Sequence, residues 1–169
     1  MVERSLAARP FHWLGLLAVS LAAVVADQLT KQIVISQLPL GESVHVGGPL
    51  YIHHVTNPGI AFGLFSSWAS VVTIVTACAV GWMLIYFAKA GARHPVLPVA
   101  LGLLIGGSLS NLIDRLRLGH VTDFLDLRFW PAFNLADTFI VVGVAILLAA
   151  LVAAERQPRI RRTAPKTSG

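Results

Sequence analysis

Two aspartates carry the sharpest chemical signal in this chain: Asp123 in "GHVTDF" and Asp137 in "FNLADT". Asp137 stands at the start of a long apolar run, "FIVVGVAILLAAL". A carboxylate at the centre of a bilayer costs about 2.5–3.5 kcal/mol, so an ionisable group inside a span is a functional candidate. Asp123 precedes it in a connecting segment and is followed by apolar Phe124 and Leu125. The chain between the two can fold back and bring both acids to one depth. Two carboxylates in a pocket of low dielectric cannot both ionise cheaply, and they tend to share one proton. The charged member can take a proton from water while the neutral member donates to a carbonyl oxygen. That is the division of labour of an aspartic-protease pair, with direct hydrolysis and no covalent acyl intermediate.

Each acid also has a plainer reading. Asn134 is a good N-cap residue, and Asp137 then falls at the third helical position, where an acid serves the helix dipole and can complete a capping box. The two roles are compatible, since a cap would hold the carboxylate still. Asp123 reads equally as a solvated loop acid, and Asp126 competes with it, although Asp126 is expected to be the solvated one.

The neighbouring polar residues fall into pairs. Asn111, Asp114 and Arg115 share one helix face. Asp114 and Arg115 could form structural ion pairs, or Asn111 and Arg115 could hold peptide carbonyls of a bound substrate; both readings stand. Asp27 and Lys31 have helical i, i+4 spacing and read as a structural pair. His53 and His54 are adjacent on an expected strand, so their rings point to opposite faces and make a poor metal site. Cys78 is expected to be a packing residue, and as the single cysteine it excludes an internal disulfide. The serines of "GGSLSN" lack a histidine at matching depth, and His120 is expected at the surface. No metal and no cofactor is expected.

The elements that must position these groups are membrane spans. Only 12% of the 169 residues are charged and mean hydropathy is +0.74, whereas a soluble domain carries about 25% charged residues. Four stretches are apolar enough to cross a bilayer, at about 13–33, 68–88, 96–112 and 133–154. Arg4 and Arg9, Lys89 and Arg93, and Arg156, Arg159, Arg161, Arg162 and Lys166 then share a side, which the positive-inside rule makes the cytoplasm. The net charge of +5 is concentrated at that side, so nucleic acid is not the expected partner. A cleavable leader ending at "VVAD" is the alternative for the first span, but apolar character resumes in "QLTKQIVI".

With this topology Asp27, Asn57, Asn111, Asp114, Arg115, Asp123, Asn134 and Asp137 gather at the outer boundary. The segment 38–66 there is rich in β-branched and aromatic residues around Gly47 and Gly48. The expected fold class is all-α integral membrane, four transmembrane helices with a small β-rich periplasmic cap. Residues 1–155 form one domain and 156–169 a basic cytoplasmic tail. A transporter would carry ionisable residues at the midplane. A scaffold would be indifferent to loss of either aspartate.

Five stretches in order, "DQLTK" at 27–31, "NPGIAFG" at 57–63, "GGSLSNLIDR" at 106–115, "GHVTDF" at 119–124 and "FNLADT" at 133–138, resemble the lipoprotein signal peptidases, or type II signal peptidases. The resemblance runs from the first span through the fourth. It departs mildly at Pro58, Ser108 and Ser110. It implies an inner-membrane aspartic endopeptidase acting on prolipoproteins that bear a diacylglyceryl group, cutting before the lipidated cysteine. Asp123 and Asp137 match the catalytic pair; Asn57, Gly59, Asn111, Arg115, Asn134 and Ala136 match positions around the substrate. Asp27, Lys31 and Asp114 would be structural near the site. The implied partners are the lipid-modified substrate and membrane lipid, with the enzyme a monomer and both termini cytoplasmic.

Overall fold

The structure, a computed structural model, describes residues 10–58, 69–90 and 96–155. These residues form four helices and one three-stranded sheet: α1 (Pro10–Gln37), β1 (Ser43–Gly47), β2 (Leu50–Asn57), α2 (Ala69–Ala90), α3 (Leu97–Leu118), β3 (Val121–Asp126) and α4 (Leu135–Glu155). All four helices are long and apolar enough to cross a membrane.

The centre of the bundle is α3, most of which is buried between α1, α4 and α2. Small residues permit this position. At Gly106 an added Cβ would lie 2.6 Å from the Ser20 carbonyl oxygen of α1, and at Gly107 it would collide with the Ala136 carbonyl oxygen of α4. Two backbones can approach this closely only where no side chain intervenes, the usual basis of helix association in lipid. Ser20 Oγ adds a bond across the first interface, donating to the Gly102 carbonyl at 3.1 Å. Leu16, Val80, Phe87, Leu101, Leu104 and Ile105 form the apolar core, with Trp13 edge-on to Phe87 at 4.9 Å.

The helices α1 and α3 run past the apolar stretches read from the sequence, to residues 37 and 118. The α3 overrun is polar, and its acid, Asp114, meets Lys31 of α1 at 2.7 Å. A left-handed Gly119 (φ +77°) ends α3, its N–H donating to the Arg115 carbonyl at 3.1 Å. The chain then reverses into β3 rather than into a loop.

The sheet has the order β1-β2-β3, all antiparallel. β1 and β2 lie within the β-rich stretch expected from the sequence; Asp123, expected in a connecting segment, lies instead on a strand, β3. A two-stranded hairpin is marginal on its own, and β3 covers the edge that β2 would otherwise expose. The sheet packs on α1 and α3, and Phe124 and Ile52 line an apolar groove together with Val34 and Leu38. Cys78 lies on the exposed side of α2, not in the core.

Candidate active site

Four elements bring the polar residues together. β2 supplies Asn57, β3 supplies Asp123, the start of α4 supplies Asp137 with Asn134 just before it, and the last turns of α3 supply Asn111, Asp114 and Arg115. Asn134 caps α4 as its sequence position suggests. Its Oδ1 accepts the Asp137 N–H at 3.0 Å, and Asp137 Oδ2 faces the Asn134 N–H at 3.4 Å, a capping box.

The same asparagine reaches the other acid. Asn134 Nδ2 donates to Asp123 Oδ1 at 2.7 Å, while Asn57 Nδ2 from β2 donates to Asp123 Oδ2 at 3.0 Å. Asn111 Nδ2 donates to Asp137 Oδ1 at 2.8 Å. Both carboxylates therefore face amide donors, and both line one cavity of about 310 Å³. Asn57, Asn111, Arg115, Val121, Trp130 and Phe133 also line it. Asp123 is only 2% exposed, and burial pushes its carboxyl up to about 6. The Asn57 and Asn134 amides oppose that rise, and the nearby Asp137 charge adds to it.

Arg115 is half-buried at the cavity wall and has no ion pair with any described residue. Asn134 and Ala136 are fully buried and do not line the cavity. Asn134 sits behind the acids and holds both; Ala136 packs against Gly107, and its N–H donates to Asp27 Oδ1 at 2.9 Å. Gly59 lies outside the described residues.

A second cluster adjoins the first. Lys31 Nζ, 2% exposed, lies 2.6 Å from Asp27 Oδ2, 2.7 Å from Asp114 Oδ2 and 3.0 Å from Asn111 Oδ1. Asp114 thus pairs across helices with Lys31 and not with a basic neighbour on α3. Ser110 and Gln28, which carried no signal as site residues, complete this cluster. Ser110 Oγ donates to Asp27 Oδ2 at 2.7 Å, and Gln28 Nε2 donates to Asp114 Oδ1 at 2.7 Å. Ser110 stands one helical turn before Asp114, but serine is too common in helices for that to stand out, and Gln28, next to Asp27, has no telling spacing.

Asp126, expected to be solvated, is buried at the far end of β3. Burial works against its charge. The Arg128 backbone N–H, His53 and the Arg128 guanidinium together outweigh it and hold the carboxyl below the usual range. His53 and His54 face different partners, Asp126 at 2.9 Å and the Leu38 carbonyl at 2.8 Å. Among the described residues no group of three or more histidines, cysteines or acids is placed to hold a metal ion.

A four-helix membrane protein with two amide-held carboxylates sharing one recess has the layout of a membrane protease. The sequence comparisons name the family. The family model for signal peptidase (SPase) II matches residues 19–153. The chain is 45% identical over 130 residues to the lipoprotein signal peptidase of Pelotomaculum thermopropionicum, covering 76% of this chain and 86% of that one. It is 43% identical over 139 residues to the lipoprotein signal peptidase of Moorella thermoacetica, covering 82% and 89%. A solved structure described as a bacterial membrane enzyme matches with a TM-score of 0.80 at 29% identity, over 88% of this chain and 94% of that one. The chain belongs to the signal peptidase II family and is a membrane protease.

Proposed function

We propose that the chain removes signal peptides from bacterial prolipoproteins whose lipobox cysteine carries a diacylglyceryl group, cutting before that cysteine. Asp123 and Asp137 share one proton. The ionised carboxylate takes a proton from water as the water attacks the scissile carbonyl carbon. The protonated partner gives its hydrogen bond to the carbonyl oxygen as charge develops there. Collapse of the tetrahedral intermediate breaks the C–N bond, and the proton held by the base passes to the leaving amine.

The observation that supports this most is that both acids line one small recess, each held by a side-chain amide. Arg115 and Asn57, which line the same wall, hold substrate carbonyls in this reading. Asn134 and Ala136 serve from behind: Asn134 fixes the two acids, and Ala136 lets α4 close on α3. An inner-membrane location with both termini cytoplasmic follows from the distribution of Lys and Arg. It puts the recess near the periplasmic face, at the depth of a lipid-anchored cysteine. Purified protein incubated with a diacylglyceryl-modified prolipoprotein should release the signal peptide, and Asp123→Asn or Asp137→Asn should abolish release. Full activity in either variant would refute the dyad.

A further inference from the structure

The loop 127–132 leaves β3 and turns back to α4, forming part of the cavity wall. Its base is closed by backbone pairing: the Leu125 N–H meets the Phe133 carbonyl at 2.7 Å, and the Phe133 N–H meets the Leu125 carbonyl at 3.0 Å. Inside the loop Arg128 has φ +66°, the one non-glycine residue with positive φ among those described. An L residue other than Asn or Asp seldom adopts this conformation, and it persists only where the surroundings over-determine it.

Here they do. The Arg128 N–H donates to Asp126 Oδ1 at 2.7 Å, as in an Asx-turn. The guanidinium lies 3.9 Å above the Tyr51 ring, donates to Ser43 Oγ at 3.0 Å and approaches Asp126 Oδ2 at 3.7 Å. One side chain thereby joins the loop to all three strands. Two residues further on is Trp130, which lines the aspartate cavity and the apolar groove beside α4. Arg128 itself lines neither.

We propose that Arg128 is a positioning residue for cleavage: it locks the loop 127–132 so that Trp130 stands as a preformed wall of the aspartate cavity. This rests on the reading of that cavity as the cleavage site. A wall held in place before substrate arrives spares the ordering cost at binding, so its loss weakens substrate capture more than chemistry.

The test is steady-state cleavage of a diacylglyceryl-modified prolipoprotein by the full chain and its Arg128→Ala, Arg128→Lys and Tyr51→Leu variants. For Arg128→Ala, KM should rise about 5–10-fold with kcat within about twofold, the scale of one cation–π contact plus one charged hydrogen bond. Arg128→Lys, which keeps a cation over Tyr51 without the fork, should show a smaller rise. Tyr51→Leu, which removes the ring from another strand, should raise KM in the same direction. In a chain with Trp13, Trp68 and Trp82 changed to phenylalanine, acrylamide should quench Trp130 faster once Arg128 is alanine. Unchanged KM in both Arg128→Ala and Tyr51→Leu, or a fall in kcat at constant KM, overturns the proposal. Should Arg128→Ala not fold, Tyr51→Leu and Arg128→Lys decide by the same criterion. Wild-type cleavage by Asp123→Asn would defeat the cleavage-site reading, whereas the quenching response reports on Arg128 alone.

Discussion

Two clusters of carboxylates lie side by side in this molecule, and they are built differently. Asp27 and Asp114 close on a buried ammonium, Lys31, at 2.6 and 2.7 Å. Asp123 and Asp137 have no cation at that range; amides hold them, and one face of each is open to the cavity. Asn111 joins the two, accepting from Lys31 at 3.0 Å and donating to Asp137 at 2.8 Å. Acids closed on a cation act as fixed supports, here tying α1 to α3 and capping α4. Acids held only by neutral donors keep their position and stay able to exchange a proton. The same residue type thus does opposite work a few ångströms apart, according to whether its partner is a charge or a dipole.

The contrast is broken most severely at the cavity. Asp123→Asn and Asp137→Asn should each lower kcat/KM by about a thousandfold or more while leaving thermal stability in detergent at or above that of the wild type. In the other cluster the expectation reverses. Lys31→Met leaves two buried acids uncompensated and should destabilise by about 3–5 kcal/mol, read as a fall in melting temperature. Adding Asp27→Asn and Asp114→Asn to it should recover much of that loss; failure to recover would show that the cluster is more than a charge balance.

Acidity sharpens the comparison. The Asp123 carboxyl is raised to about 6, so the folded protein binds this proton more tightly than the unfolded chain does. Its contribution to stability is complete below the unfolded value and is lost as pH rises through about 6, a change of about 3 kcal/mol. The difference in stability between the wild type and Asp123→Asn should follow that curve. The proposed mechanism needs one acid ionised and the other protonated, so the alkaline limb of kcat/KM, where Asp123 loses its proton, should lie near 6. The smallest effect belongs to His53→Ala at the far end of β3, where one partner of Asp126 is removed. A loss of about 0.5–1.5 kcal/mol is expected by thermal unfolding at neutral pH. Asp126 is held below the usual range, so its contribution is present above the unfolded value and fades as pH falls through the lowered one.

Much of the site was legible in one dimension because the membrane sorts residues by depth. Asp27, Asn111, Asp114, Asp123, Asn134 and Asp137 had to meet once four apolar runs and the basic connections set their topology. The N-cap role of Asn134 was legible for a local reason: its signal lies within one turn of helix. The strand status of Asp123 was not, since β3 is called into being by the open edge of β2, some seventy residues earlier in the chain. Nor could spacing choose the partner of Asp114. An adjacent Arg115 and a distant Lys31 compete, and only the approach of α1 to α3 across Gly106 decides between them.

The amino-acid sequence by itself determined the four spans and which polar residues collect together at one end of them. Hydropathy and charge act on each segment independently of its neighbours, so these features need no knowledge of contacts. Tertiary structure alone decided which acid faces a cation and which faces a cavity, that Asn134 reaches both Asp123 and Asp137, and that Arg128 ties the loop to three strands. Those outcomes depend on the separation of atoms far apart in the chain, and hydrogen bonds and ion pairs lose their strength within an ångström or two of misplacement.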